Sequence, residues 1–143
     1  MTKVMFLCTG NTCRSQMAEG FAKTFGELID AYSAGLMPVG VVNPRAIMVM
    51  KEVGIDISSQ KSKAIDTDLL TKMDIIVTLC GNAEASCPIT PASIKRMHWP
   101  IDDPVSAVGT EDEIMMEFRK ARDEIKSRIM ELINSLKQEG TDE

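Results

Sequence analysis

A cysteine and an arginine with five residues between them, in Cys8-Thr9-Gly10-Asn11-Thr12-Cys13-Arg14, form the part of the chain best suited to chemistry. Ser15 follows directly, the apolar run Val4-Met5-Phe6-Leu7 precedes, and a helical pattern starts at about Arg14. A strand, a small polar loop and a helix N-terminus together build an anion site, because successive amide N–H groups point into the loop and the helix dipole adds positive potential. Gly10 allows a positive φ, and Asn11 tolerates one better than most residues. Arg14 adds a planar two-pronged contact to an oxyanion, and Ser15 can donate its hydroxyl to the Cys8 sulfur. The same field favours a thiolate at Cys8. Thr9, Gly10, Asn11, Thr12, Cys13, Arg14 and Ser15 are therefore expected to hold a tetrahedral oxyanion, with Cys8 as the nucleophile toward it. A bare C-x5-R spacing also occurs by chance in tight turns. The strand before it, the helix after it and the Gly, Asn and Ser within it are what point to a site.

Two further thiols widen the chemistry. Cys80 closes the apolar run that starts at Asp74, and Cys87 lies seven residues on, across the small polar segment 81–86. A phosphatase needs one nucleophilic cysteine and one acid, whereas two thiols that become a disulfide deliver two electrons. A segment with so little apolar surface can rearrange cheaply. Cys80 alone would pass for a small buried hydrophobe, but Cys87, in a polar stretch before Pro88, would not. Cys13, inside the loop, reads as mainly structural. The C-x4-C and C-x6-C separations do not match zinc spacings and His98 is the only histidine, so no metal is expected. His98 reads as a packed or surface strand residue and Trp99 as core or rim. Asp102-Asp103-Pro104 has the composition of a turn.

The elements that must position these groups follow from patterning. Residues 4–7 read as a buried strand. A helix from Arg14 carries Met17, Ala18, Phe21, Ala22 and Phe25 on one face, with Gly26 as a stop. A short strand is expected at 31–34. Asn43-Pro44 signals a helix start, followed by Ile47, Met50 and Val53 and ended by Gly54. Asp66 or Thr67 caps a short helix, 74–80 is the clearest buried strand, and 95–99 is a fourth. Thr110 and Glu113 form a capping box before a long helix with Ile114, Phe118, Ala121, Ile125, Ile129, Leu132 and Leu136 on one stripe. Alternating strands and helices predict an α/β fold: a small doubly wound, four-stranded parallel sheet of order 2-1-3-4 with helices on both faces. In that order strands 1 and 3 are neighbours, and the crevice between their C-terminal ends is where ligands bind. Cys8 and Cys80 would share it. The 143 residues suit one domain spanning 1–143. The net charge of −5 gives no broad attraction to nucleic acid or an anionic membrane, so an anionic substrate needs a local positive site. The N-terminal apolar stretch is too short to span a bilayer and lacks signal-peptide features, which points to the cytoplasm, where thiols stay reduced.

The stretch Cys8-Thr9-Gly10-Asn11-Thr12-Cys13-Arg14-Ser15-Gln16-Met17-Ala18-Glu19 resembles the active-site loop of the low-molecular-weight phosphotyrosine phosphatase fold, and within it most closely the thioredoxin-coupled arsenate reductases. The resemblance continues through Asn43-Pro44, Cys80, Cys87, His98-Trp99 and Asp102-Asp103-Pro104. Gln16 stands where the phosphatase branch usually has proline, Val105-Ser106 where it tends to have aromatic residues, and Tyr32 is the only tyrosine. The resemblance implies a phosphatase-like fold and a relay. Cys8 attacks arsenate held by the loop and Arg14, Asp103 protonates the leaving oxygen, Cys80 resolves the adduct and Cys87 takes over the disulfide. Thioredoxin, or a glutaredoxin-type reductant, regenerates the thiols, with no bound cofactor and a monomeric protein expected. Some relatives hold potassium beside the loop asparagine. Asn11 and Glu19 match part of that site, but Lys61 and Lys63 lie nearby and a lysine ammonium could replace the ion. Two alternatives stand beside this reading: a phosphatase using Cys8, Arg14 and Asp103, and a non-catalytic protein that binds arsenite or senses oxidants through Cys8, Cys80 and Cys87.

Overall fold

A computed structural model of the chain describes residues 1–88 and 90–141. The first strand, β1 (Thr2–Cys8), is buried from Val4 to its end. Then come α1 (Arg14–Lys23), β2 (Ile29–Gly35), α2 (Pro44–Glu52), α3 (Thr67–Leu70), β3 (Ile75–Thr78), α4 (Gly81–Ser86), β4 (Lys95–His98) and α5 (Glu111–Thr141). The four strands form one sheet of order β2-β1-β3-β4. Every pairing is parallel, with Leu7 opposite both Ala34 and Thr78. This is the expected doubly wound order, and it sets the ends of β1 and β3 side by side.

Apolar burial holds the sheet to its helices. Val4, Phe6, Leu7, Ile76 and Val77 are fully buried, and Phe6 meets Trp99 at a ring separation of 5.9 Å. The long helix α5 buries Phe118, Ala121, Ile125, Ile129, Leu132 and Ile133, each large side chain stabilising by about 1.5–3 kcal/mol. Ile114 and Leu136, at the two ends of the expected stripe, are only partly buried. Arg122 ties α5 to α2 by donating to the Val49 carbonyl and the Glu52 carboxylate at 2.9 and 2.8 Å. Among the described residues no helix is long and apolar enough to cross a membrane.

Several boundaries have local causes. The Asn43 side chain caps α2 by accepting from the Arg45 and Ala46 amides, and Gly54 lies at φ +81 just past its end. Thr110 and Glu113 close the capping box at the start of α5. Helix α1 stops at Lys23 rather than at Gly26, and the Thr24 hydroxyl next to that end donates to the Phe21 carbonyl at 2.6 Å. Strand β2 is longer than expected and runs to Gly35. Strand β3 ends at Thr78, two residues before Cys80. The segment 81–86, expected only as an easily rearranged connection, is the helix α4.

Candidate active site

The loop from Cys8 to Cys13 is held from outside by its carbonyls. The amides of Leu36, Met37, Val39 and Asn43 donate to the carbonyls of Cys8, Thr9, Gly10 and Thr12 at 2.7–3.2 Å. Gln16, fully buried, donates to the Asn11 carbonyl and to that of Lys61, both at 2.9 Å. Turning carbonyls outward is what an amide-lined anion cradle requires. Asn11 makes the bend, with φ at 47. Gly10 does not use the positive φ open to it, and a Cβ there would lie 2.9 Å from Val39 Cγ2. Gly35 carries a stricter demand, because its Cβ would meet the Asn11 nitrogen and the Thr9 carbonyl oxygen at 2.8 Å.

The Cys8 sulfur lies 2.9 Å from the Ser15 hydroxyl. Asn11 Nδ2 donates to that same hydroxyl at 2.8 Å and to Ser33 Oγ at 3.0 Å. An amide N–H can only donate, so the Ser15 proton is left for the sulfur. Ser33 in turn donates to the Glu19 carboxylate at 2.7 Å. Glu19 is buried and is matched by Lys23 at 2.7 Å and Lys63 at 3.8 Å, with Lys63 also donating to the Lys61 carbonyl. Burial holds the Lys63 ammonium below the usual lysine range, with Glu19 opposing. The carboxylate beside the loop thus already has two ammonium partners and a hydroxyl donor. That donor set fits a built-in lysine rather than a potassium ion, and no step below passes through a metal.

Arg14 is buried and oriented by its own backbone contact, donating to the Ile101 carbonyl at 2.9 Å. Its other nitrogen lies 3.6 Å from Asp103, which is half-exposed and caps a short 3-10 turn by accepting from the Val105 amide. Cys8, Thr9, Gly10, Thr12, Cys13, Arg14 and Asp103 line one cavity of about 310 Å³, together with Met37, Val39 and Val105. Sequence reasoning missed that apolar rim. Its signal was topological, since β2 ends at the same edge of the sheet as β1, which brings residues 36–41 over the loop. Cys13 precedes α1 and is buried. Burial above all pushes its thiol up, with Asp103 and Cys8 adding and Arg14 opposing, so it stays protonated and neutral.

The other two thiols sit at the two ends of α4. Cys80 caps its N-terminus, with the sulfur accepting from the Ala83 amide at 3.3 Å and lying 3.2 Å from the Thr9 hydroxyl. The second thiol is thereby packed against the loop of the first. Cys87 follows the helix and is half-buried, and burial pushes its thiol up, with Arg96 opposing and Glu84 adding. All four cysteines are free thiols. Seven residues at helical rise separate Cys80 from Cys87 by about 10 Å. A disulfide needs Cα atoms about 4.4–6.8 Å apart. A bond between them therefore requires α4 to unwind, and a helix of six residues has little stability of its own.

Known proteins are similar to this chain along its length. An arsenate reductase of Bacillus subtilis is 54% identical over 129 residues, covering 90% of this chain and 92% of its own. One of Halalkalibacterium halodurans is 55% identical over 127 residues, 88% of this chain and 91% of its own. The solved structure of an arsenate reductase in its phosphate-binding state is 38% identical and superposes with a TM-score of 0.77, covering 95% of this chain and 99% of its own. A low molecular weight protein tyrosine phosphatase from T. tengcongensis, 27% identical, superposes at 0.78 over 94% of this chain and 99% of its own. The family of low molecular weight phosphotyrosine protein phosphatases matches residues 3–142. With that match spanning nearly the whole chain, the chain belongs to the low molecular weight phosphotyrosine protein phosphatase family.

Proposed function

We propose that this chain reduces arsenate to arsenite with the thiols of Cys8, Cys80 and Cys87, and that thioredoxin restores them. Arsenate lies in the Cys8–Ser15 loop, its charge met by loop amides and by Arg14. Cys8 sulfur attacks arsenic(V), and an oxygen leaves as water with a proton from Asp103. Cys80 sulfur then attacks Cys8 sulfur. The sulfur–arsenic bond breaks and its electron pair stays on arsenic, which departs as arsenite. Cys87 attacks Cys80 sulfur, Cys8 leaves as a thiolate, and the disulfide becomes Cys80–Cys87. A dithiol such as that of thioredoxin, or of a glutaredoxin-type protein, reduces that bond from outside. The reaction needs no bound cofactor and suits a reducing compartment such as the cytoplasm.

The observation that carries this reading is the packing of Cys80 against Thr9, with Cys87 at the far end of the same short helix. A phosphatase has no use for either thiol. The relatives that are about 54% identical and act as arsenate reductases support the same conclusion. Phosphoester hydrolysis through Cys8, Arg14 and Asp103 is the second reading, favoured by the family and by the shared cavity. Both reactions begin with the same attack, so weak phosphatase activity accompanies the first. The test is arsenate-dependent NADPH oxidation in the presence of thioredoxin and its reductase, abolished by Cys80→Ser. No arsenate-dependent consumption with either a thioredoxin or a glutaredoxin system would overturn the proposal.

A further inference from the structure

Between the two resolving thiols, α4 is fastened to the sheet by a chain of three side chains that the relay itself does not use. Thr78, buried at the end of β3, donates its hydroxyl to the Glu84 carboxylate of α4 at 2.5 Å. On the neighbouring strand His98 is paired in register with Thr78, and its Nδ1 lies 2.9 Å from the same hydroxyl. A hydroxyl has one proton, and the carboxylate, which only accepts, takes it. His98 Nδ1–H is then the donor to Thr78, and the three groups form a single directed chain. Glu84 also approaches His98 at 4.0 Å. A hydrogen bond to an ionised carboxylate is among the stronger kinds, and chains of them reinforce one another.

We propose that Thr78, Glu84 and His98 form a latch that holds α4 wound in the reduced protein and must open before Cys80 and Cys87 can join. This inference rests on the relay reading, because only a Cys80–Cys87 bond requires α4 to unwind. Apart from the latch, α4 is held by the buried Ala83, by the Ala83 amide on Cys80 and by its own backbone. The latch contributes only to the wound, dithiol form. It makes the Cys80–Cys87 disulfide easier to reduce, which lets an external dithiol drain it. Glu84 also carries negative charge beside Cys87 while α4 is wound, against the opposing Arg96. Unwinding takes that carboxylate away on α4, and Arg96 stays on β4. The three residues are positioning residues and touch no reacting atom.

The test is a redox titration of the chain against dithiothreitol, with the disulfide mapped by mass spectrometry, for the wild type, Glu84→Ala and Thr78→Val. Alanine is the best helix former, so Glu84→Ala removes the latch without lowering the intrinsic preference of α4 for helix. Thr78→Val removes the hydroxyl and keeps the Glu84 charge. Each is expected to lower the equilibrium constant for reduction of the Cys80–Cys87 bond roughly tenfold, which is about 30 mV for a two-electron couple. The double variant should fall no further than either alone, because both break one chain. Urea unfolding of the reduced proteins checks that each variant is folded. A wild type that forms no Cys80–Cys87 bond would overturn the relay and the latch together. A wild type that forms it, with both variants within twofold of its constant, would overturn the latch alone.

Discussion

Replacing Asn11 tests how the loop is built. The side chain is fully buried and makes three hydrogen bonds: Nδ2 to Ser15 and Ser33 at 2.8 and 3.0 Å, and Oδ1 from the Lys63 amide at 2.8 Å. At about 0.5–1.5 kcal/mol each, their loss amounts to about 2–4 kcal/mol. Its backbone adds a second cost, because φ is 47 and alanine in the left-handed region is strained by about 1–2 kcal/mol. Asn11→Ala should therefore lose about 3–6 kcal/mol of stability in urea unfolding, read as a lower midpoint at unchanged slope. Asn11→Gly loses the same hydrogen bonds without the strain, and after its greater unfolded-chain entropy it should be the more stable of the two by about 1 kcal/mol. The chemistry should suffer as well. Without Asn11 the Ser15 hydroxyl is free to turn from Cys8, so alkylation of Cys8 at neutral pH should slow in both variants. A loss below about 1 kcal/mol for Asn11→Ala, or a glycine variant no more stable than the alanine one, would refute this account of the loop.

Other consequences follow from neighbouring contacts. Gly35→Ala places a Cβ 2.8 Å from two backbone atoms of the loop, so it should cost about 1–3 kcal/mol in urea unfolding and reduce arsenate turnover. Arg14→Lys loses the planar fork proposed to meet the oxyanion, and kcat/KM for arsenate should fall about 100-fold or more while the fold persists. Between α2 and α5, Arg119 above all, with Arg122, holds the Glu52 carboxylate down to about 2. A carboxylate held low in the folded chain stabilises it above the ordinary glutamate range, and that contribution fades as pH falls from about 4.5 toward 2. The difference in urea midpoint between wild type and Glu52→Gln should accordingly shrink over that interval and be flat above pH 6.

The parts of the molecule that were legible in the sequence are those whose causes are local. Asn43 before Pro44 and Thr110 with Glu113 announce helix starts through side-chain-to-backbone bonds within a few residues, and Gly54 after Val53 announces an end through its left-handed backbone. Strand–helix alternation gives the α/β class, and the doubly wound order that four such strands fit places Cys8 and Cys80 at one edge of the sheet. Helix α4 was not legible, because cysteine is an uncommon cap and the segment lacks an apolar stripe. It forms because Ala83 is buried under the fold and because Thr78 and His98 wait on neighbouring strands. Gly35 lay just past the strand expected at 31–34, and only the approach of the Cys8 loop shows why a side chain is excluded there. Gln16 departed from the family pattern without an evident role. Its amide joins the Asn11 and Lys61 carbonyls and accepts from Gln60, and the last two partners lie 45 and 44 positions away, beyond any window of sequence.

In the proposed relay electrons pass from two resolving thiols through Cys8, and a Cys87→Ser protein separates the first exchange from the second. Mixed with arsenate and the complete thioredoxin system, it should release about one arsenite per chain and stop, and peptide mapping should find a Cys8–Cys80 disulfide. Continued turnover by that variant, or a trapped bond that excludes Cys80, would contradict the account.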